Sequence, residues 1–158
     1  MTADPFHFCP ARENTALLAR MLTAYYREGE DADTPEAELE DFISLLLGLL
    51  EDGVLCGELL FKEHIPAGFV LFAMDAADYP FSECPGLGTI AEIGVVPSFR
   101  RQGCGRMLAA KAEEALRKQT QEAYVCVHPS AEAFWRSCGY RPTGRTGGND
   151  LPLFIKPL

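Results

Sequence analysis

The segment PSFRRQGCGRMLAAKAEEAL, residues 97–116, decides how the centre of this chain folds. It follows GTIAEIGVV, residues 88–96, which has the composition of a strand. Two glycines, Gly103 and Gly105, then precede a run of good helix formers. Within that run the apolar residues recur at helical spacing, at Cys104, Leu108, Ala112 and Ala115. The sequence therefore predicts a strand, a glycine turn and a helix over residues 103–118.

Such a turn has the chemistry of an anion site. A helix that starts directly after a turn leaves unpaired N–H groups and a positive dipole end at one point. Glycines let the backbone approach a bulky anion closely. Arg100, Arg101 and Arg106 add positive charge that suits phosphate oxygens. The alternative is a tight turn whose arginines are merely solvated, and the spacing alone does not choose between the two.

Two nucleotide-binding motifs do not fit. A P-loop needs Lys followed by Ser or Thr after its second glycine, but Gly105 is followed by Arg106 and Met107. A dinucleotide-binding fingerprint needs a third glycine, and Leu108 occupies that position.

The composition limits the classes of protein. With 158 residues, 47% of them apolar and 23% charged, we expect one globular domain over residues 1–158. General nucleic-acid binding is not expected at a net charge of −9, because it needs a basic surface. The longest apolar run, residues 42–50, is too short to cross a bilayer, so no membrane association is expected. The six cysteines form no CxxC pair and no metal-like cluster with histidine, so we expect reduced thiols, no metal and a cytoplasmic location.

The rest of the chain predicts helices first and strands of mixed direction later. A short strand is expected at residues 6–9, a helix at residues 14–27, and a second helix that starts at Thr34-Pro35 and ends at Gly53. A hairpin, a strand, a short helix and a closing strand are expected at residues 57–74, 123–127, 131–138 and 151–155. This order predicts an α+β or three-layer α/β fold.

Two blocks resemble one known family. EIGVVPSFRRQGCGRML, residues 92–108, is similar to the acetyl-CoA-binding segment of the GNAT superfamily, the Gcn5-related N-acetyltransferases. The family hallmark Arg/Gln-x-x-Gly-x-Gly/Ala is here residues 100–105. HPSAEAFWRSCGY, residues 128–140, resembles the second family block, with Ala131, Phe134, Gly139 and Tyr140 in register. The resemblance is firm from about residue 90 to residue 140 and loose before that.

The resemblance implies a central mixed, mostly antiparallel sheet flanked by helices, and a site for acetyl-CoA as cosubstrate. It implies that the pyrophosphate is held at the turn, and that strand residues pair with the pantetheine arm like an added strand. A bulge at Gly94 would splay two strands apart. The cofactor-binding residues expected on this basis are Ile93, Gly94, Val95, Arg100, Arg101, Gln102, Gly103, Cys104, Gly105, Arg106, His128 and Trp135.

The chemistry needs a group that takes the proton of the amine and a way to stabilise the departing thiolate. Glu92 is the candidate base, and the alternative is a carboxylate that points to solvent. Trp135 stands where relatives often place the tyrosine that protonates the thiolate, and an indole N–H cannot serve as an acid. His128 stands at the usual asparagine position, either touching the cofactor arm or capping the turn before Pro129. Cys104 is either a reactive thiol at a helix start or a small core residue.

We therefore expect an N-acetyltransferase that moves the acetyl group of acetyl-CoA to a small-molecule amine by direct attack in a ternary complex. The alternatives are a non-catalytic acyl-CoA-binding or sensing module and an acetyltransferase for proteins or peptides. A homodimer is possible, since relatives often dimerise. Ten acidic residues and no Lys or Arg lie between Glu28 and Asp52, which indicates either a cationic acceptor or a solvated acidic surface.

Overall fold

The computed structural model describes residues 4–158, and at residues 30 and 31 the backbone alone. The strands are Phe6–Pro10 (β1), Cys56–Lys62 (β2), Ile65–Met74 (β3), Gly88–Val95 (β4), Glu122–Cys126 (β5), Arg141–Thr146 (β6) and Pro152–Pro157 (β7). The helices are Thr15–Glu28 (α1), Glu36–Glu51 (α2), Cys104–Leu116 (α3) and Glu132–Ser137 (α4).

The strands form one sheet in the order β1-β2-β3-β4-β5-β7-β6. Neighbouring strands are antiparallel, except that β4 and β5 run parallel. Helices cover both faces of the sheet, so the expectation of a mixed, mostly antiparallel sheet flanked by helices is confirmed.

Two hydrophobic cores lie on opposite faces of the sheet. The first face carries α1 and α2, whose inward side chains include Leu18, Leu22, Leu39, Ile43, Leu46 and Leu50. The second face carries α3 and α4, with Leu108, Ala109, Ala112, Leu116, Trp135 and Tyr140 turned inward. Residues of β3 alternate between the two cores, since successive side chains of a strand point to opposite faces. The helical spacing in the sequence marks most of these buried faces, but in α1 it places Tyr25 on the apolar stripe, whereas the structure buries Tyr26 instead.

The helix starts differ slightly from expectation. The side chain of Asn14 caps α1 by accepting a 3.2 Å hydrogen bond from the N–H of Leu17. Pro35, and not Thr34, occupies the cap position of α2, so the helix begins at Glu36. Gly103 is the cap residue of α3 and lies outside the helix.

Strand β4 contains a bulge. Glu92 pairs with Leu71 and Ile90 pairs with Phe72, so Ala91 is an extra residue opposite the β3 ladder. The side chains of Ala91 and Glu92 therefore lie on the same face, the one that α1 and α2 cover, whereas Ile90 faces α3.

The bulge predicted at Gly94 is thus wrong, because Gly94 pairs in register with Phe69. Close packing explains the glycine instead. A Cβ at this position would lie 2.5 Å from Cε1 of Phe69 and 3.1 Å from Cδ2 of Tyr25. Gly94 is therefore the place where α1 lies directly on the backbone of β4.

A buried ionic cluster joins α3 to the second sequence block. The hydroxyl of Tyr140 donates a 2.8 Å hydrogen bond to Oε2 of Glu113, and Nζ of Lys156 lies 2.9 Å from Oε1 of Glu113. Burial and the adjacent Glu113 carboxylate raise the pKa of Tyr140. This cluster fixes the junction of α4 and β6 against α3.

Candidate active site

Strands β4 and β5 pair for two residues only and then separate. Gly88 pairs with Ala123 and Thr89 pairs with Tyr124, and no further pair of these two strands follows within the described residues. The later part of β4 therefore has β3 on one side and an open wedge on the other. This wedge is the place where the resemblance puts the thioester arm.

The backbone of β4 turns polar groups toward this wedge. The N–H of Val96 donates to the carbonyl of Ala67 on the β3 side, at 2.8 Å. Since N–H and C=O groups of alternate residues point to opposite sides of a strand, Ile93 and Val95 direct theirs away from β3. An extended chain in the wedge would find these groups at hydrogen-bonding positions.

The glycine turn leads from β4 into α3 with a distorted backbone. Arg101 and Gly103 have φ values of 63° and 84°, in the left-handed region. The first backbone bond of the helix is from the N–H of Met107 to the carbonyl of Gly103, at 3.1 Å. The N–H groups of residues 101–106 donate to no acceptor within residues 4–158. Six successive donors and a helix start are thus available to an anion.

The three arginines of the turn differ in direction. Arg100 reaches sideways, where Nε donates to the carbonyl of Val95 at 3.2 Å and Nη2 forms an ion pair with Glu28 at the end of α1. Arg101 and Arg106 are exposed on the turn. The side chain of Gln102 donates to the carbonyl of Ser98 at 3.3 Å, which closes the turn.

The two sequence blocks meet at Gly105. A Cβ on this residue would lie 3.0 Å from Cε2 of Phe134, so the absence of a side chain at Gly105 leaves room for the aromatic ring. Cys104, one residue earlier, is buried, and burial raises the pKa of its thiol. Its role as a small core residue is therefore confirmed, and only its N–H faces the turn.

Trp135 lies mainly in the core. Its side chain is 5% exposed and makes edge contacts with the rings of Phe134 and Tyr140. The structure thus places Trp135 behind the turn, with little surface for a ligand. Its assignment to the cofactor site stays a prediction.

His128 caps the short 3₁₀ turn Pro129–Ala131 that follows β5. Its Nδ1 accepts a 3.1 Å hydrogen bond from the N–H of Ser130 and lies 2.7 Å from Oγ of the same residue. The capping role expected as one alternative is confirmed. A contact of His128 with the cofactor arm stays a prediction.

Glu92 is half-buried beneath α1 rather than solvated. The hydroxyl of Tyr26 donates a 2.8 Å hydrogen bond to Oε1 of Glu92, and Tyr26 itself is 6% exposed. Tyr26 was not predicted from the sequence as a site residue. The adjacent pair Tyr25-Tyr26 on a predicted helix could have indicated it, because such a pair places a tyrosine on two sides of the helix, where each can contact other groups. The alternative of an outward-pointing Glu92 is excluded.

A cavity of about 400 Å³ lies beside Tyr26, between α1 and α2. Among the residues whose side chains are described, Tyr26, Thr34, Glu38, Leu39 and Phe42 line it. The rings of Tyr26 and Phe42 are 5.7 Å apart between centroids, and Phe42 also contacts Phe81 of the β3–β4 loop. The cavity thus reaches the residue that holds Glu92.

A smaller cavity of about 180 Å³ lies between α1 and the end of β4. Tyr25, Glu28, Gly94, Val95 and Arg100 are among the residues that line it. It lies on the face of the sheet that α1 covers, next to the end of β4. Tyr25, the most exposed of the tyrosines at 36%, therefore lies beside the end of β4.

Cys126 ends β5 in the same region and is a poor nucleophile. Burial raises the pKa of its thiol to about 11, and the nearby carboxylates of Glu83 and Glu92 add to this effect. Since the thiolate is the reactive form, Cys126 is almost entirely protonated near neutral pH.

Comparison with known families identifies the chain. The profile of the Acetyltransferase (GNAT) family matches residues 14–140, and the chain belongs to this family. No curated protein matches it closely enough to count as a relative. Over the described residues, no helix has the length and apolarity to span a bilayer, and no group of three or more His, Cys, Asp or Glu side chains is arranged to hold a metal.

Solved structures share the fold at low sequence identity. The N-acetyltransferase PaiA of Thermoplasma acidophilum, solved with coenzyme A, has a TM-score of 0.72 at 14% identity, with all of both chains covered. An acetyltransferase of Thermus thermophilus has a TM-score of 0.72 at 22% identity over 97% of each chain. Aminoglycoside acetyltransferase AAC(6')-Ib, also with coenzyme A, has a TM-score of 0.71 at 17% identity over 96% of this chain and 94% of its own.

Proposed function

We propose that this GNAT-family protein transfers the acetyl group of acetyl-CoA to the amine of a small molecule. The observation that carries the proposal is the placement of Glu92. Its carboxylate lies on the strand that borders the wedge and accepts a hydrogen bond from Tyr26, which in turn lines a cavity large enough for an acceptor. A base, a cofactor strand and an acceptor cavity thus meet at one residue.

The chain's own groups suit coenzyme A. The N–H groups of residues 102–106 would hold the pyrophosphate, and the exposed side chains of Arg101 and Arg106 would add charge. Ile93 and Val95 would pair with the amide groups of the pantetheine arm. The fit rests on six unpaired donors in the turn and on the wedge side of β4, which pairs with no described strand beyond Thr89 and where the carbonyl of Val95 accepts a hydrogen bond from Arg100.

In the proposed reaction Glu92 takes a proton from the acceptor ammonium, directly or through water. The neutral nitrogen attacks the thioester carbonyl, the new C–N bond forms, and the C–S bond breaks with its electron pair on sulfur. The nitrogen releases its second proton to solvent, which balances the proton that the thiolate takes up. A thiol of ordinary pKa, about 8.5, makes that thiolate a tolerable leaving group near neutrality. Direct transfer in a ternary complex agrees with the protonated state of Cys126.

We assign the protonation of the thiolate to Tyr25. The other four tyrosines are at most 6% exposed, whereas the ring of Tyr25 packs at Gly94 and lines the cavity beside the cofactor strand. Trp135 cannot donate as an acid and lies in the core.

A thiol-release assay with acetyl-CoA over panels of small amines and peptides tests the function. We expect turnover with a small amine and little with peptides. Tight coenzyme binding with no turnover on any amine would favour the non-catalytic binding module. A preference for peptides would favour a protein acetyltransferase.

A further inference from the structure

The cavity beside Tyr26 has two different ends. Toward the sheet it reaches Tyr26, whose hydroxyl contacts Glu92, and toward the surface it is bordered by the exposed side chain of Glu38. Between them lie the apolar side chains of Leu39 and Phe42. The cavity thus has a carboxylate beyond each end and an apolar middle.

We propose that this cavity binds a linear aliphatic diamine, with one amine facing Glu92 and the second, charged amine paired with Glu38. The proposal rests on the proposed function, since it specifies the acceptor of the same site. An alkyl chain matches the apolar middle of the cavity, and an ammonium group matches each carboxylate. The rings of Tyr26 and Phe42 offer further attraction to a cation through their faces.

The charges around the outer end support this choice. Glu38 lies in a segment, residues 28–52, with ten acidic residues and no Lys or Arg. No lysine or arginine of the described residues forms an ion pair with Glu38. Clustered carboxylates raise the local concentration of cations within the Debye length. A dicationic acceptor is therefore drawn to this opening.

One cation, the guanidinium of Arg27, lies near the cavity. Nη1 of Arg27 donates to the carbonyls of Ala32 and Thr34, at 3.0 and 2.7 Å, and Thr34 lines the cavity. Its contacts tie the α1–α2 connection to the end of α1. If Arg27 instead received the far end of the acceptor, a carboxylate there would be preferred over an ammonium.

Three probes of equal chain length distinguish these cases: putrescine, butylamine and γ-aminobutyrate. We expect kcat/KM for putrescine to exceed that for butylamine by about fivefold, the value of an exposed ion pair, and γ-aminobutyrate to be the poorest. In Glu38→Gln the ratio of putrescine to butylamine should fall to about two, the statistical factor for two equivalent amines, because the ion pair is lost. The control Glu40→Gln removes an exposed carboxylate from the same helix, away from the cavity lining, and should keep the ratio.

Three results would each overturn the diamine proposal while leaving the protein an acetyltransferase. They are equal rates for putrescine and butylamine, a preference for γ-aminobutyrate, and equal effects of Glu38→Gln and Glu40→Gln. If no amine releases thiol, the proposed function fails. Calorimetry of putrescine with the coenzyme A-bound protein then still decides the cavity's ligand. A diamine site is supported if Glu38→Gln weakens putrescine binding and Glu40→Gln does not. Absence of putrescine binding contradicts it.

Discussion

The hydroxyl of Tyr26 donates a 2.8 Å hydrogen bond to Oε1 of Glu92, and this contact joins α1 to β4 beside the bulge at Ala91. The bulge turns Glu92 to the face of the sheet that α1 covers. Tyr26, which lines the proposed acceptor cavity, then holds the carboxylate by this hydrogen bond. The position of the proposed base therefore depends on a helix that is far from it in sequence.

Removing this hydroxyl should slow the reaction without weakening coenzyme binding. In Tyr26→Phe we expect kcat to fall about tenfold, because a hydrogen bond to a charged group contributes about 1.5 kcal/mol or more. A carboxylate that loses a donor holds its proton more tightly, so the acid limb of the pH–rate profile should move to higher pH. Initial rates from pH 5 to 9 would measure both effects.

Tyr124→Phe is the matched control for that variant. It removes a buried hydroxyl that donates a 2.7 Å hydrogen bond to another carboxylate, Oδ2 of Asp75. It should lower stability but leave the acid limb in place. Equal pH profiles for Tyr26→Phe and the unmodified protein would show that Tyr26 does not position the base.

The glycine turn can be tested at Gly103. Gly103→Ala places the new Cβ in open space but strains a backbone of φ 84°, at a cost of about 1 kcal/mol. We expect the altered turn to weaken acetyl-CoA binding by about tenfold in calorimetry, because its N–H groups no longer converge. Gly105 is less suitable, since a side chain there would also meet Phe134.

Gly53→Ala provides the control for the turn. Gly53 has φ 79°, also borders open space, and follows α2, so the substitution carries the same backbone strain elsewhere. It should lower stability by a similar amount and leave acetyl-CoA affinity intact. An equal loss of affinity in both variants would mean that strain, and not the turn's donors, governs binding.

The pH dependence of kcat distinguishes the proposed roles of Trp135 and Tyr25. Trp135→Phe should lower the free energy of unfolding by about 2 kcal/mol, because it shrinks a buried side chain, and should keep the alkaline limb of kcat. Tyr25→Phe should instead remove that limb, since it deletes the proposed acid. Loss of the alkaline limb in Trp135→Phe would refute this assignment.

Direct transfer predicts that Cys126 is dispensable. With a thiol pKa of about 11, Cys126 carries almost no thiolate near neutral pH, so Cys126→Ala should retain kcat. Initial-rate plots should intersect, as expected for a ternary complex. Parallel lines, with an acetylated protein in mass spectra that Cys126→Ala lacks, would indicate a covalent route.

The sequence predicted the parts of the fold that local patterns determine. The turn at residues 100–105 and α3 follow from glycine and helical spacing, and the buried stripes of α1 and α2 follow from apolar periodicity. Strand β6 was missed because all of its residues are exposed and RPTGRT shows no apolar alternation. It forms through pairing with β7, which is a tertiary effect.

Of the candidate site, only the residues that belong to a sequence motif were predicted. The bulge was expected at Gly94 because glycine often marks one, but the ladder shifts at Ala91, and only the pairing with β3 reveals this. Tyr26 and Glu38 acquire their roles from the packing of α1 and α2 against the sheet. No motif in one segment encodes such contacts, since they join residues that are distant in sequence.

The most direct test of the account is Glu92→Gln, measured for both turnover and acetyl-CoA binding. Glutamine keeps an oxygen for the Tyr26 hydroxyl but cannot take a proton, so kcat should fall by about 100-fold or more while the Kd for acetyl-CoA stays unchanged. Glu58→Gln, which alters a half-buried carboxylate on β2, should leave both values unchanged. A kcat in Glu92→Gln within about twofold of the unmodified protein would contradict Glu92 as the base.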